Sequence, residues 1–220
     1  MSLSEIMTIV VFFHLSNQRT FKWYYKNLVC GYWKDYFPKR LSYNRFVEVM
    51  QLAVVPLLLY TMKCRTGKCS GISFIDSTKI AVCGNKRIGQ NKVFEDIAKI
   101  GKTTMGWFYG FKLHLTINDQ GEILSFCITP GNVDDRDEAT IAQLTKVQLT
   151  KELFGKLFAG KGYISSNLFD LFEKLWEGGI HLVTGFRKNM KNRVMDMCDK
   201  IFLRKRSIIE TVNDFIKNIC

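Results

Sequence analysis

Hydrophobic positions recur at helical intervals through the first part of the chain and then change to alternation. Ser2-x-x-Glu5 has the spacing of a capping box ahead of the apolar run 6–13, and Tyr43, Phe46, Val47 and Met50 repeat every three to four residues, so residues 1–63 are predicted helical. From residue 72 the period becomes two. Residues 72–82 read as a strand that carries Asp76 in its interior, where an aspartate is disfavoured and needs a reason. Phe111, Leu113, Leu115 and Ile117 then alternate with Lys112, His114 and Thr116, and Asn118-Asp119-Gln120-Gly121 supplies the turn into a strand over 122–129. Pro130-Gly131-Asn132 ends that strand, and Asp134 or Asp135 is expected to cap a helix running to about Leu149.

The remainder alternates strand and helix. Residues 156–159 form a short strand, Ser165 or Ser166 is expected to cap a helix bearing Phe169, Phe172, Leu175 and Trp176, Gly178-Gly179 stops it, and 180–184 is the next strand. This is a right-handed βαβ unit with a parallel pair. A basic connector containing Arg187, Lys188, Lys191, Arg193, Lys200, Arg204, Lys205 and Arg206 leads to a last helix over about 207–218. The order strand, hairpin, helix, strand, helix, strand, helix predicts an α/β fold of the ribonuclease H-like kind: a mixed sheet of antiparallel meander plus parallel crossovers, preceded by a small helical module. The boundary is expected near residue 70, with 1–70 helical and 71–220 forming the α/β domain. In such a sheet the first strand lies beside the strand that follows the first helix. Asp76 and residue 160 would then come close together, with the last helix lying across them.

Charge sharpens this outline. The 220 residues carry 32 Lys and Arg against 20 Asp and Glu, a net charge of +12, which makes a polyanion the first partner to consider. The charge divides into +7 over 1–74, zero over 75–150 and +5 over 151–220, so basic flanks surround a neutral middle rich in carboxylates. A solvated surface produces such a split, and so does a groove that binds phosphate backbones around an acidic centre. In the helical module, basic residues between Arg19 and Arg45 are interleaved with Phe21, Trp23, Tyr24, Tyr25, Tyr32, Trp33, Tyr36 and Phe37. Those rings are core before they are base-stacking platforms, and a helix-turn-helix-like DNA contact is left open. The seven cysteines include no CxxC pair and the three histidines are scattered, so buried reduced thiols are expected rather than zinc. The apolar runs 6–13 and 52–60, the latter interrupted by Pro56, fall short of the roughly 20 residues that span a bilayer. No membrane span and no secretory signal are expected, and the cytoplasm is the expected location.

Cleavage of a phosphodiester by two divalent ions needs carboxylates converging from separate elements. Asp76 is one candidate and Glu210 on the last helix another. Arg206, Glu210 and Lys217 are spaced by four and seven and so share a helix face. A carboxylate flanked by cations suits a metal and a phosphate together; an ordinary i,i+4 Arg–Glu surface pair explains the spacing equally well.

Six stretches carry a resemblance: Phe74-Ile-Asp-Ser-Thr, Asn85-Lys-Arg, Gly106-Trp-Phe-Tyr-Gly-Phe-Lys-Leu-His-Leu, Thr129-Pro-Gly-Asn-Val-Asp-Asp-Arg, Gly162-Tyr-Ile and Arg204-Lys-Arg-Ser-Ile-Ile-Glu. Together they resemble the DDE transposases of bacterial insertion sequences. The resemblance implies a catalytic domain that cuts DNA at element ends and joins the freed 3′ hydroxyls to a target, using Mg²⁺ or Mn²⁺. It also implies Asp76 as the first acid and Glu210 as the last, both as metal ligands. DNA is the implied partner, with Lys86, Arg87, Lys92, Lys102, Arg204, Lys205, Arg206 and Lys217 as expected phosphate contacts. A homodimer is implied by the need to pair two ends.

The pattern also departs from the family. Gly160 stands where the second catalytic Asp belongs, in Ala159-Gly160-Lys161-Gly162-Tyr163. Arg206-x3-Glu210-x6-Lys217 is similar to a signature around the last acid in related transposases, but Leu203 stands where that signature has a Tyr three places before the Arg, and Gly84 stands where a His is expected. The chain is expected to be a copy cut short at both ends. Losing one member of a catalytic unit costs on the order of 10⁴- to 10⁶-fold in rate in protease triads, so strand cleavage is expected to be lost, leaving a DNA-binding remnant as the alternative. Asp134, Asp135 and Asp137 could stand in for the missing acid, but a turn and helix cap explain them more simply.

Overall fold

The computed structural model describes residues 1–104, 106–147, 151–163, 175–185 and 195–219. The chain divides into two compact units, one of Met1–Cys64 with Phe215–Cys220 and one of Arg65–Asp214.

The first unit is helical. Helix α1 (Leu3–Leu15) starts in the expected capping box: the Ser2 side chain accepts from the Glu5 backbone N–H, and the Glu5 carboxylate accepts from the Ser2 N–H. Helix α2 (Phe21–Tyr24) runs into a π-helical stretch, Tyr25–Tyr32, and α3 (Tyr43–Met50) opens with Ser42 accepting from the Arg45 N–H. The core is Ile6, Ile9, Tyr24, Tyr25, Val29, Phe46 and Ala53. Tyr25 and Phe46 pack with ring centroids 4.5 Å apart. The two buried tyrosine hydroxyls donate to the carbonyls of Ile9 and Leu41, at 3.0 and 2.8 Å. Burial pushes both phenols up to about 12. Tyr24 and Tyr25 are therefore core, whereas Trp23, Tyr32 and Tyr36 are exposed.

A 3₁₀ turn (Gln51–Ala53) joins α3 to α4 (Val54–Tyr60), and a π-helical turn, Thr61–Arg65, follows. Tyr43–Arg65 is consequently one helical stretch of 23 residues, which by length and composition alone is long and apolar enough to cross a membrane. This corrects the run-length argument made from the sequence. Pro56 does not break the helix because it lies in the first turn of α4, where the N–H that proline lacks has no partner within the helix.

The second unit is built on a mixed sheet. β1 (Ile72–Cys83) pairs antiparallel with β3 (Gly106–Asn118), whose far edge is shared by β2 (Lys99–Thr103) and β4 (Ile123–Pro130). On its other side β1 pairs in parallel with β7 (Gly155–Ala159), and β7 in parallel with β8 (Ile180–Thr184). Between β4 and β7 lie helix α5 (Glu138–Leu144) and a small antiparallel ribbon of β5 (Lys146–Val147) and β6 (Lys151–Glu152). Helices α6 (Met197–Lys205) and α7 (Ser207–Ile219) complete the described chain. Antiparallel meander, central first strand and parallel crossovers make this the ribonuclease H-like α/β arrangement expected from the order of elements.

The hairpin turn forms as the sequence indicates. The Asn118 side-chain oxygen accepts from the N–H groups of Gln120 and Glu122, and Gly121 supplies a φ of +87°. Gly155 opens β7 at φ +81°, where a Cβ would stand 2.3 Å from the Gly71 carbonyl oxygen, so only glycine lets β7 approach this closely. Helices cover both faces. On one, Ile75, Leu157 and Ala159 pack with Ile141 and Leu144 of α5; on the other, Phe158 sits between Phe74 at 5.7 Å and Phe202 of α6 at 5.5 Å. The Lys112, His114 and Thr116 side of β3 is therefore buried, like its apolar side.

Three local expectations change. The cap of α5 is Asp137, which accepts from the Thr140 N–H at 2.9 Å, and the helix stops at Leu144 because the chain then turns into the ribbon. Asp134 is instead held by Arg136, and Asp135 by Lys112. The basic connector before the last helix contains a helix of its own, α6. The expected caps Ser165 and Ser166, with Phe169 and Phe172, and the connector residues Arg187, Lys188, Lys191 and Arg193, lie outside the described residues.

Candidate active site

Strand pairing fixes the first two positions. Ile75 is level with Ala159 in the parallel β1–β7 pair, so Asp76 and Gly160 are the next positions along neighbouring strands. Phe202, packed against Phe158 with the rings tilted by 37°, seats α6 over this part of the sheet, and the chain turns at Arg206 into α7. That turn delivers the Arg206 guanidinium to the strand ends. Its Nη1 lies 3.5 Å from Asp76 Oδ1, and its Nη2 donates to Glu210 Oε1 at 2.9 Å. Asn213 Nδ2 lies 3.4 Å from Asp76 Oδ2. A Cβ built on Gly160 would meet Arg206 Nη1 at 3.6 Å and Cζ at 3.8 Å, in ordinary contact. Asp76, Gly160, Arg206, Glu210 and Asn213 thus form one cluster.

Electrostatics in the cluster are set by burial. Desolvation raises the Asp76 carboxyl above the usual carboxylate range; Arg206 and a Ser77 backbone hydrogen bond pull it down, and the charges of Glu210 and Asp135 push it up. Tyr163, four per cent exposed, has its phenol held well above the ordinary value, first by burial and then by the charges of Asp135 and Asp76. Among the described residues the Asn213 Oδ1 is buried without a hydrogen-bond partner, and the Tyr163 hydroxyl has none of good geometry, though Ser77 lies close enough to pull its pKa down a little. Nearby, Lys112 Nζ donates to Val133 O at 2.7 Å and to Asp135 Oδ1 at 3.0 Å. His114 is held by Thr129 Oγ1 at 2.9 Å, and burial lowers its pKa.

The other residues singled out from the sequence lie elsewhere. Lys86 and Arg87 are exposed on a 3₁₀ turn, Asn85–Gln90, and Lys92 is exposed just beyond it. Lys102 is exposed on β2, with its ammonium 5.4 Å from the Trp107 ring centroid. Arg204 and Lys205 are exposed at the end of α6, and Lys217 is exposed on α7. Arg206, grouped with them by sequence, differs: its guanidinium is 22% exposed and engaged by two carboxylates.

Sequence reasoning passed over Asn213 and Tyr163. Asn213 could have been found, because it falls between Glu210 and Lys217 on the stripe that begins at Arg206. Tyr163 stands in the Gly162-Tyr-Ile stretch that carries the resemblance, but nothing in the sequence marks its burial or its place beside Asp76.

The second unit is thus a ribonuclease H-like α/β domain with Asp76 on its central strand and Glu210 on the last helix. A family model described as the transposase DDE domain matches residues 66–220, and the chain belongs to that family. No curated protein and no solved structure matches it.

Members of this family generally use a divalent metal and act on DNA. The described residues do not fit a metal pair. Among them no group of three His, Cys, Asp or Glu side chains is placed to hold an ion. Gly160 offers no ligand, and Asp76 and Glu210 both face Arg206.

Proposed function

We propose that this transposase-family protein binds DNA through its basic surface and has lost strand cleavage and transfer. The observation that carries this reading is Gly160. It follows β7 next to Asp76, with room for a side chain directed at the Arg206 guanidinium, and carries none. An in-line displacement on phosphorus needs charge neutralised on both the attacking and the leaving oxygen. Among the described residues Asp76 and Glu210 are the remaining acids of the cluster, and neither replaces a ligand at the end of β7. Asp134, Asp135 and Asp137 are occupied by Arg136, Lys112 and the α5 N-terminus, which argues against any of them standing in.

Binding rests on the exposed cations. Lys86, Arg87, Lys92 and Lys102 come from the segment around β2, and Arg204, Lys205 and Lys217 from α6 and α7. A chain that holds element-end DNA without cutting it competes with an active transposase for the same ends. Pairing of two ends calls for a homodimer, and such a protein works in the cytoplasm.

The test compares the parent, Gly160→Asp, and Gly160→Asp with Glu210→Ala on supercoiled plasmid carrying candidate element ends, with Mg²⁺ or Mn²⁺. The parent is expected to bind without nicking. Its log K should fall with log salt at a slope near −0.9 per phosphate neutralised, and replacing Lys86 and Arg87 by alanine should lessen that slope by about two. Nicking gained with Gly160→Asp and lost with Glu210→Ala supports the assignment of the site. Metal-dependent nicking by the parent, or DNA binding indifferent to salt, overturns the proposal.

A further inference from the structure

We infer that Arg206 is the resident cation of this site: its guanidinium takes the place between Asp76 and Glu210 that a divalent ion would need, so the two carboxylates are held together without metal. The inference deepens the reading above and rests on it only for the expectation that a metal once stood here.

Geometry comes first. The guanidinium is a rigid planar fork, and its two terminal nitrogens address two different carboxylates, Nη1 toward Asp76 at 3.5 Å and Nη2 to Glu210 at 2.9 Å. A magnesium ion bonds oxygen at about 2.0–2.1 Å and tolerates little departure from octahedral geometry. The guanidinium stands against the same two carboxylates that would have to hold an ion, so the two cations compete for them. Both are cations, so the second to arrive is repelled as well as blocked.

Charge counting agrees. Asp76 and Glu210 bring two negative charges, of which Arg206 neutralises one, and Asn213 adds an amide N–H toward Asp76. A third carboxylate on β7 would leave two charges unmet by Arg206, a demand suited to a divalent ion. Gly160 removes that demand. The position also explains what an acid there would do first: a side chain on residue 160 starts within 3.6 Å of Arg206 Nη1, so Gly160→Asp hands the guanidinium another acceptor before it hands a ligand to a metal.

The experiment measures thermal unfolding of the whole chain without DNA, in EDTA and in Mn²⁺ or Mg²⁺. An ion held at a hundredfold excess over its Kd would raise Tm by roughly 5–10 °C in a protein of this size. The parent and Arg206→Lys, which keeps the charge, are expected to move by less than about 1 °C. The pair Gly160→Asp with Arg206→Met, with three carboxylates and no internal cation, is expected to show the metal-dependent rise, and Gly160→Asp alone a smaller one. Mn²⁺ broadening of backbone amide signals around Asp76 gives a second reading on the parent that needs no variant to fold: none is expected. A parent stabilised by Mn²⁺, or selective broadening at Asp76, overturns the inference. A parent that binds Mn²⁺ yet cuts no DNA refutes Arg206 as resident cation and leaves the proposed function standing; a parent indifferent to metal that fails to bind DNA does the reverse.

Discussion

Replacing Phe158 by alanine should do more harm to this protein than any change at the charged residues it supports. The ring is fully buried on β7, between Phe74 of β1 and Phe202 of α6, with centroids 5.7 and 5.5 Å away. Truncation removes the transfer free energy of a buried phenylalanine and leaves a cavity, together about 3–5 kcal/mol, with the two ring pairs bringing it toward the upper end. Domains of this size are stable by about 5–15 kcal/mol in all, so the loss is a large fraction. At about 2–4 °C per kcal/mol, Tm should fall on the order of 10 °C. Urea unfolding followed by far-ultraviolet circular dichroism gives the free energy, and calorimetry the Tm. Phe202→Ala, from a half-buried ring on the helix side, should cost less than Phe158→Ala and loosen the hold on Arg206. A loss below about 1 kcal/mol for Phe158→Ala would refute the reasoning, because it would mean that the three rings do not anchor α6 to the sheet.

Gly155→Ala should destabilise by roughly 1–3 kcal/mol, since φ is +81° and the new methyl would meet the Gly71 carbonyl; denaturant midpoints check it, and an unchanged midpoint contradicts the close approach of β7. The Asp134 carboxyl should titrate near 2, held there chiefly by its hydrogen bonds and charge pairing with Arg136, and should return toward the ordinary aspartate range in Arg136→Ala when followed by carbon-13 NMR. Because its folded pKa is depressed, whatever stability it contributes is present above the unfolded value and lost as pH falls through about 2. His114 has the same pH sense by a different route: burial lowers its folded pKa, so the unfolded chain takes up the proton first and stability declines as pH falls below the unfolded value near 6.5. Tm measured from pH 8 to 5 should show this slope in the parent and a flatter one in His114→Asn.

Much of the sheet was legible in the sequence because its signals are local. Alternation over 111–117, the Asn118 to Gly121 turn and the apolar run 180–184 each identify a strand without reference to anything distant. What escaped is decided by neighbours. Helix α6 reads as a basic connector because its exposed face carries Lys200, Arg204 and Lys205, while its hold on the sheet comes from Phe202 against Phe158 and from Asp199, which pairs with Lys156 of β7 at 2.6 Å. β2 reads as a loop because Lys99-Ile-Gly-Lys-Thr is short and rich in lysine, as edge strands are, and becomes a strand only against β3. The candidate site divides in the same way. Asp76 and Glu210 announce themselves as an acid in a strand and an acid on a basic stripe, but that Arg206 reaches both carboxylates follows from the turn between two helices, which no spacing encodes.

The parallel pairing of β7 with β1 bears on how the protein is made. Residues 72–75 must wait for residues 156–159, and the β1–β3–β4 meander can form on the ribosome well before that partner is synthesised. Until then one long edge of β1, from Ile72 through Ile75, has open backbone groups. Asp76 sits at the end of that edge, and a charged, poorly paired residue there disfavours the docking of another nascent chain. On this account the acid on the central strand would guard the edge during synthesis, a task separate from any chemistry at the site.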